Sequence, residues 1–378
     1  MVTTRMKSDT KKKGTRTEDR KQEHIRICLD REIESNTPAG FNDITLIHNA
    51  VPEINLDDVN LQCTFLGHKL QAPIMVTAMT GGHEEALPIN HHIAQAVEAL
   101  GLAMGVGSQR AAIEDSTLAP SFSVTRENAP TAFIIGNIGA PQLSLGYDVK
   151  EAEIAIKMLE ANALAIHFNA AQEAIQPEGE AHFSGVLQAL RRLTKSLSTP
   201  IIAKETGAGI NPDNAEQLAK AGVKAIDVAG LGGTSWPAVE VERAKTEDAL
   251  KATLGRWFTD WGIPTAVATF EVTQKNLSIP VIASGGIRTG VDIAKSIALG
   301  ATVGGVALPV LSPAMLNAKA VQVYLASLIQ GLKATMFLVG AKTLEDLTKT
   351  PLIIQGATRN WLELRGHNLE ELAMRSIR

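Results

Sequence analysis

Residues 163–180 read ALAIHFNAAQEAIQPEGE. Small and apolar residues run straight into His167, Asn169, Gln172, Glu173, Gln176, Glu178 and Glu180. A short apolar run that closes in polar groups reads as a buried strand delivering side chains at its C-terminal end. Polar groups at the mouth of a packed sheet need partners, so their density marks this mouth as an active site. Pro177 and Gly179 are turn formers, and Gln176–Glu180 reads as a shaping loop with Glu180 on its surface.

Working outward from this stretch, the same unit recurs along the chain. Apolar strands are expected at 72–80, 102–108, 132–138, 163–169, 200–205, 225–229, 279–284 and 302–308. Helical patterns alternate with them at 89–100, 149–160, 183–197, 211–221 and 291–299, followed by a long helical region from about 314 to 339. Eight short apolar strands alternating with helices predict an α/β fold, a closed (β/α)8 TIM barrel, rather than an open doubly wound sheet. The barrel occupies 72–340. Residues 1–19 read as a disordered basic tail, 20–71 as an N-terminal arm and cap, and 341–378 as a C-terminal helical extension. The 235–276 segment is too long for one strand-to-helix connection and reads as an insertion on the active-site face, where barrels vary.

Composition excludes several classes. A 378-residue chain that is 45% hydrophobic has ample core for a large α/β domain. Its net charge of −4 argues for neither nucleic acid nor a membrane surface. Cys28 and Cys63 have no CxxC spacing, which fits a reducing cytoplasm without disulfide or zinc ribbon. No uninterrupted apolar run reaches the length of a membrane span, and no apolar segment follows the charged N-terminus as in a secretory signal.

The most specific local signal follows the seventh strand. Ser284-Gly285-Gly286-Ile287-Arg288-Thr289-Gly290 leaves a strand and opens a helix. Glycines admit an anion close to the backbone, helix N-terminal N–H groups point at it, and Arg288 can add a forked contact. Strand eight follows with Gly304-Gly305, and barrels often bind phosphate after strands seven and eight. A second glycine cluster, Gly230-Leu231-Gly232-Gly233-Thr234, follows strand six, and Lys204 closes strand five. Together these read as a cradle for a phosphorylated cofactor, with residues 78–80, Ser108 and Asn137 on its other side. On their own, Arg20 and Lys21 read as a solvated helix start, and His167 reads rather as a satisfied core histidine than as a site residue.

The ordered set RKQEHI, AMTGG, GVGSQR, GNIGAPQ, HFNAAQE, QPEGE, KETGAG and DVAGLGGTSW, with SGGIRTG, resembles one family of FMN-binding barrels, the type 2 isopentenyl diphosphate isomerases. The similarity runs from Arg20 to about Pro309. The resemblance implies a cytoplasmic isomerase that interconverts isopentenyl and dimethylallyl diphosphate in isoprenoid precursor synthesis. It implies reduced FMN, Mg2+, NADPH as flavin reductant, and proton transfer with no net redox change. It implies a small-molecule diphosphate substrate, a homotetramer or homo-octamer, and no nucleic-acid or membrane partner. Carried over by position, the substrate meets Arg20, Lys21, Ser108, Gln109, Arg110 and Gln172. The catalytic residues are Gln172, His167 and Asn169, and Glu173 ligates Mg2+. FMN meets Ala78, Met79, Thr80, Ser108, Asn137, Lys204, Thr234, Gly286, Arg288, Ala307 and Leu308. Gln22 stands where the family usually has an acid, Ala229 where it often has serine, and Glu180 where it has aspartate. Ala170 and Ala171 are smaller than is typical and imply a wider pocket.

Two rival barrels fit less well. An α-hydroxy-acid oxidase needs a catalytic histidine after strand six or seven, and VAGLGGTSW holds none. A purine-nucleotide dehydrogenase needs a loop cysteine, and both cysteines precede strand one.

Overall fold

The computed structural model describes residues 16–244 and 248–377. Eight parallel strands close into a barrel: β1 (Ile74–Val76), β2 (Ala103–Gly105), β3 (Phe133–Gly139), β4 (Ala163–Phe168), β5 (Ile201–Glu205), β6 (Ala225–Asp227), β7 (Val281–Ser284) and β8 (Val303–Val306). Each pairs with its neighbour in sequence, and β8 returns to β1 through Gly304↔Ile74. All eight expected strands are present. Several are shorter than the sequence suggests, because their C-terminal residues leave the ladder. Ala78–Thr80, Ser108 and Ala307 line the barrel mouth instead of continuing a strand.

Register explains how the mouth is furnished. Gly139 of β3 lies opposite His167 of β4, His167 opposite Lys204 of β5, and Lys204 opposite Asp227 of β6. Residues at one register level share a layer of the barrel, so Lys204 reaches Asp227 beside His167 although each comes from a separate strand, with bare backbone at Gly139. The opposite end is shut by a hairpin, Cys63–Phe65 with His68–Leu70. Phe65 and Leu70 are fully buried against Met75, Phe133, Ala163 and Ile282, and the Phe65 ring meets Phe133 edge-on at 5.4 Å.

Four boundaries depart from the sequence reading. The arm helix runs Arg16–Asp30, so it takes in the last residues of the expected tail; the rest of that tail lies outside the described residues. Helix Thr265–Gln274 packs on β7 as an ordinary barrel helix, so the excursion on the active-site face is confined to residues 235–264. It carries the helices Trp236–Ala244 and Ala249–Trp257. The long helical region breaks into Leu308–Leu316 and Ala318–Val339, because Asn317 caps the second helix by accepting from Ala320 N–H. The C-terminal extension is not wholly helical: Leu352–Ile354 pairs antiparallel with Ile44–Leu46 of the arm. Burial of Leu352, Ile354 and Ile44 favours this pairing over helix.

Helix Ala318–Val339 is long and apolar enough, by length and composition alone, to cross a membrane, which an unbroken-run reading of the sequence passes over. In the fold Val321, Leu325, Leu328, Leu332 and Met336 face the interior, and the helix packs against Gly290–Ala298 and Ala86–Leu100.

Candidate active site

A cavity of about 240 Å³ opens at the C-terminal mouth of the barrel. One wall is backbone. Gly285 and Gly286 have φ of 105° and 71°, a region costly for residues with a Cβ. A Cβ on Gly286 would overlap the carbonyl of Gly232, and one on Gly233 would lie 2.5 Å from the Gly286 nitrogen. The loops after β6 and β7 therefore touch main chain to main chain. Bare backbone there, with Thr234 and helix Gly290–Ala298 beginning just beyond, is a cradle shaped for a phosphate. Substituting Gly286 by Ala is expected to lower affinity for FMN at least tenfold, the size of an effect of about 1.4 kcal/mol. Flavin fluorescence titration of the apoprotein measures this; unchanged affinity would show that the loop contact does not shape the cradle.

Nearly every residue singled out from the sequence lines this cavity: Arg20, Lys21, Ala78, Met79, Thr80, Ser108, Arg110, Asn137, His167, Asn169, Gln172, Glu173, Lys204, Thr234, Gly286, Arg288, Ala307 and Leu308. Gln109 is the exception. It is completely buried behind the wall, where its amide donates to the Ala155 carbonyl and accepts from Asn137 N–H. Both ends of its amide are spent on the scaffold, which removes it from substrate contact. Ala170 and Ala171 also fall outside the cavity lining, so their small size does not widen the pocket.

The polar groups are held in defined states. Asn137 donates to the Val106 carbonyl, which leaves its amide oxygen facing His167 Nδ1 at 2.8 Å. Nδ1 is then the protonated nitrogen and Nε2 carries the lone pair. Burial, reinforced by Lys204 and Lys21, lowers the His167 pKa to about 3, so the ring is neutral at pH 7. Lys204 lies 3.3 Å from Asp227 Oδ2 and donates to the Glu205 carbonyl at 2.8 Å. The Glu205 carboxylate turns away and collects the N–H groups of Thr206, Gly207 and Ala208; burial nevertheless raises its pKa to about 6.

Glu173 accepts from Asn169 Nδ2 at 2.8 Å on one oxygen, and from Gln176 Nε2 and Glu180 N–H, each at 2.7 Å, on the other. Among the described residues the Oε1 atom accepts only the Asn169 bond, and Glu173 lines the cavity. Close by, Asn169 Oδ1 is buried without a hydrogen-bond partner. Two unsaturated hard oxygens, and no cluster of three metal-binding side chains among the described residues, suit an ion that takes most of its ligands from phosphate and water. The residues present fit both Mg2+ and FMN.

Arg110 forks onto Glu180 through Nη1 and Nη2, the latter at 3.0 Å, and its Nε holds Glu114 at 2.7 Å. Glu180 is therefore not a plain surface residue; the arginine beside it holds its carboxyl below the usual range. Glu178 likewise pairs with Arg243 at 2.7 Å. Arg288 lines the cradle while its guanidinium pairs with Glu34. Gln22, on the arm, donates to Glu85.

Three residues that the sequence reading passed over belong to the site. His24 sits one helical turn beyond Lys21 and lines the cavity. Trp236 meets the His24 ring edge-on at 5.1 Å. Glu240, fully buried in helix Trp236–Ala244, accepts from Gln172 Nε2 at 2.8 Å and contacts His24 Nε2 at 3.1 Å. The spacing of His24 from Lys21 was legible. Glu240 offered only its place on the same helical face as Trp236, four residues earlier. Cys28 also lines the cavity, but burial pushes its thiol to about 12, which leaves it inert as a nucleophile.

A parallel barrel with a glycine cradle after strands six and seven and a cationic, amide-rich mouth is the architecture of flavin barrels. Residues 149–354 match the family model of FMN-dependent dehydrogenases. Solved structures agree on the fold: a lactate oxidase from Pediococcus acidilactici superposes with a TM-score of 0.62 at 19% identity over 84% of each chain. The flavin-binding domain of baker's yeast flavocytochrome b2 gives 0.64 at 15% identity, over 93% of this chain and 84% of its own. Sequence relatives are much nearer. Isopentenyl-diphosphate delta-isomerases from Methanosarcina mazei and Methanosarcina barkeri are 46% and 48% identical over 95% of this chain and 98% of theirs. That of Pyrococcus furiosus is 47% identical over 93% of this chain and 90% of its own. The chain belongs to the isopentenyl-diphosphate delta-isomerase family.

Proposed function

We propose that the protein interconverts isopentenyl and dimethylallyl diphosphate by proton transfer, with reduced FMN in the glycine cradle and Mg2+ beside Glu173. The observation that carries this reading is the Gln172 amide. Its Nε2 donates to buried Glu240 while its oxygen accepts from Asn169 Nδ2 at 3.2 Å, so the group stands in one orientation at the cavity wall. An amide has no usable pKa for ordinary acid–base work at neutral pH. Pinned in this way, Gln172 orients the allylic carbons or relays a proton. Reduced FMN supplies the proton-donating and electron-rich ring that the side chains lack.

The chain's own groups do the binding. Arg20 and Lys21 bring cationic charge from the arm, Lys21 sits on the Ser108 carbonyl at 2.6 Å, and Arg110 lines the same mouth. Glu173 and Asn169 offer oxygens to the metal. His167 is neutral at pH 7, and an arriving diphosphate raises its pKa. The wider reading adds NADPH as reductant, a cytoplasmic setting and a homotetramer or homo-octamer. Met315, Leu316, Val323 and Leu338, on and beside the long outer helix, are large exposed apolar side chains, which supports self-association.

Two measurements test this. The purified protein should be yellow and should isomerise isopentenyl diphosphate only when reduced and supplied with Mg2+; a colourless preparation that takes up no FMN would sink the reading. Gln172→Asn is expected to keep FMN and lose at least about tenfold in kcat, because a shorter amide cannot reach Glu240 and Asn169 together. A full isomerase rate in that variant would remove the assigned role.

A further inference from the structure

Arg243 lies at the base of helix Trp236–Ala244, with its side chain only 10% exposed. Its three nitrogens go to three different segments. Nε meets Glu23 of the arm helix at 3.0 Å, Nη2 meets Glu178 of the 176–180 loop at 2.7 Å, and Nη1 meets Glu240 of its own helix at 2.7 Å. Each segment also carries a site residue. The arm helix presents Arg20, Lys21 and His24, and the loop supplies the two donors that hold one oxygen of Glu173. Glu240 holds Gln172.

The charge balance singles out the arginine. Burial works against ionised Glu240, yet His24, Arg243 and Gln172 together keep its carboxyl well below the usual range. Burial also lowers the pKa of His24 despite Glu240 beside it, so His24 contributes a hydrogen bond rather than a full charge at pH 7. Among the described residues, that leaves Arg243 as the counter-ion in direct contact with Glu240. Among the described residues, the charged groups around this network include Arg20 on the arm, Glu178 on the loop and Lys251 on the next helix, whose ammonium is held by the Ala174 carbonyl. A buried carboxylate stripped of its counter-ion takes up a proton or destabilises the fold.

Resting on the isomerase reading, we propose that Arg243 is a positioning residue whose fork ties the arm helix and the 176–180 loop to the carboxylate that orients Gln172, so that seating the arm and setting the catalytic amide are one event. A guanidinium suits this task because it holds three acceptors in fixed directions; an ammonium supplies the charge without the fork.

The two functions separate in two variants of the full-length, FMN-loaded protein. Arg243→Lys keeps a charge beside Glu240 but drops partners. It should keep the wild-type pH profile of kcat while KM for isopentenyl diphosphate rises about tenfold, the cost of one charge-assisted contact at the mouth. Arg243→Gln removes the charge. Glu240 then titrates in the working range, and kcat at pH 5.5 relative to pH 8 should fall at least about tenfold further than in wild type, one pKa unit being one decade. The third readout needs no turnover: trypsin cleavage after Arg20 and Lys21 should be about tenfold faster in both variants, as expected for a loss of about 1.4 kcal/mol from a local closing equilibrium.

Wild-type KM, pH profile and cleavage rate in the variants would overturn the proposal. A loss independent of pH and accompanied by loss of flavin would do so too, because it would assign Arg243 to the scaffold. If Arg243→Gln does not fold, Arg243→Lys decides through KM and cleavage. An inactive wild type would refute the isomerase reading alone, since the cleavage rates still decide whether Arg243 ties the arm.

Discussion

Glu173→Gln lowers kcat by about a hundredfold and raises the Mg2+ concentration for half-maximal rate at least tenfold, with FMN content unchanged; losing a charged ligand and its hydrogen bonds is worth about 3 kcal/mol. The carboxylate accepts three hydrogen bonds, from Asn169, Gln176 and Glu180 N–H. A glutamine side chain turns one oxygen into a donor. Whichever way the amide is placed, it opposes at least one of those donors, and the anionic lone pair offered to the metal is gone. The effect is therefore expected on the metal dependence and on the 176–180 loop together, not on the flavin cradle across the cavity. Initial rates measured over a Mg2+ series, with flavin absorbance recorded on the same samples, check it. Unchanged Mg2+ dependence would exclude Glu173 as the ligand.

Substrate affinity is expected to fall about tenfold per pH unit above pH 7, through Lys21. Its ammonium is held by the carbonyls of Gly81 and Ser108, the latter at 2.6 Å, and lies 5.2 Å from the Phe122 ring centre. Burial, with Arg20 beside it, lowers its pKa from 10.5 to about 7. A bound diphosphate stabilises the charged form, so binding above pH 7 takes up a proton. Calorimetry with isopentenyl diphosphate in buffers of different ionisation enthalpy reads that uptake. Lys21→Met should abolish it and weaken binding at least tenfold at pH 7, the worth of one charge-assisted hydrogen bond.

The same group makes a stability prediction of opposite sense. The unfolded chain keeps the Lys21 proton up to about pH 10.5, and the folded chain releases it near 7. Between those values the unfolded state binds more protons, so the Lys21 contribution to stability increases with pH across that window. Below pH 7 the folded state carries the full burden of a buried ammonium. Lys21→Met should therefore raise Tm most at pH 6, and the gain should shrink towards pH 10. A gain that stays constant with pH would show that the ammonium is not desolvated.

The barrel was legible because its signals are local. Apolar runs such as AFIIGNI at β3 and PIIAKE at β5 end in polar or glycine residues at a regular spacing, and helices lie between them. The cradle was legible for the same reason: SGGIRTG carries its turn, its close backbone approach and its helix start within one heptapeptide. Gln109 was misread because its neighbours Ser108 and Arg110 do line the cavity. Side-chain direction at the start of a helix depends on where the backbone turns, and here that turn sends the amide inward to Asn137 and Ala155. Glu180 was misread because a turn glutamate looks solvated until Arg110, 70 residues earlier, is folded against it.

By itself, the sequence determined the eight-fold alternation, the positions of the phosphate-shaped turns and the cluster His167, Asn169, Gln172 and Glu173, because periodicity, turn chemistry and helical spacing act over a few residues. Only the tertiary structure decided which partners those groups have. Gln172 meets Glu240 68 residues later, and His24 meets the same carboxylate across 216 residues. Burial then sets the protonation of His167 and Lys21, while His24, Arg243 and Gln172 keep buried Glu240 ionised; burial and these partners are properties of the closed barrel and its seated arm, not of any stretch of the chain.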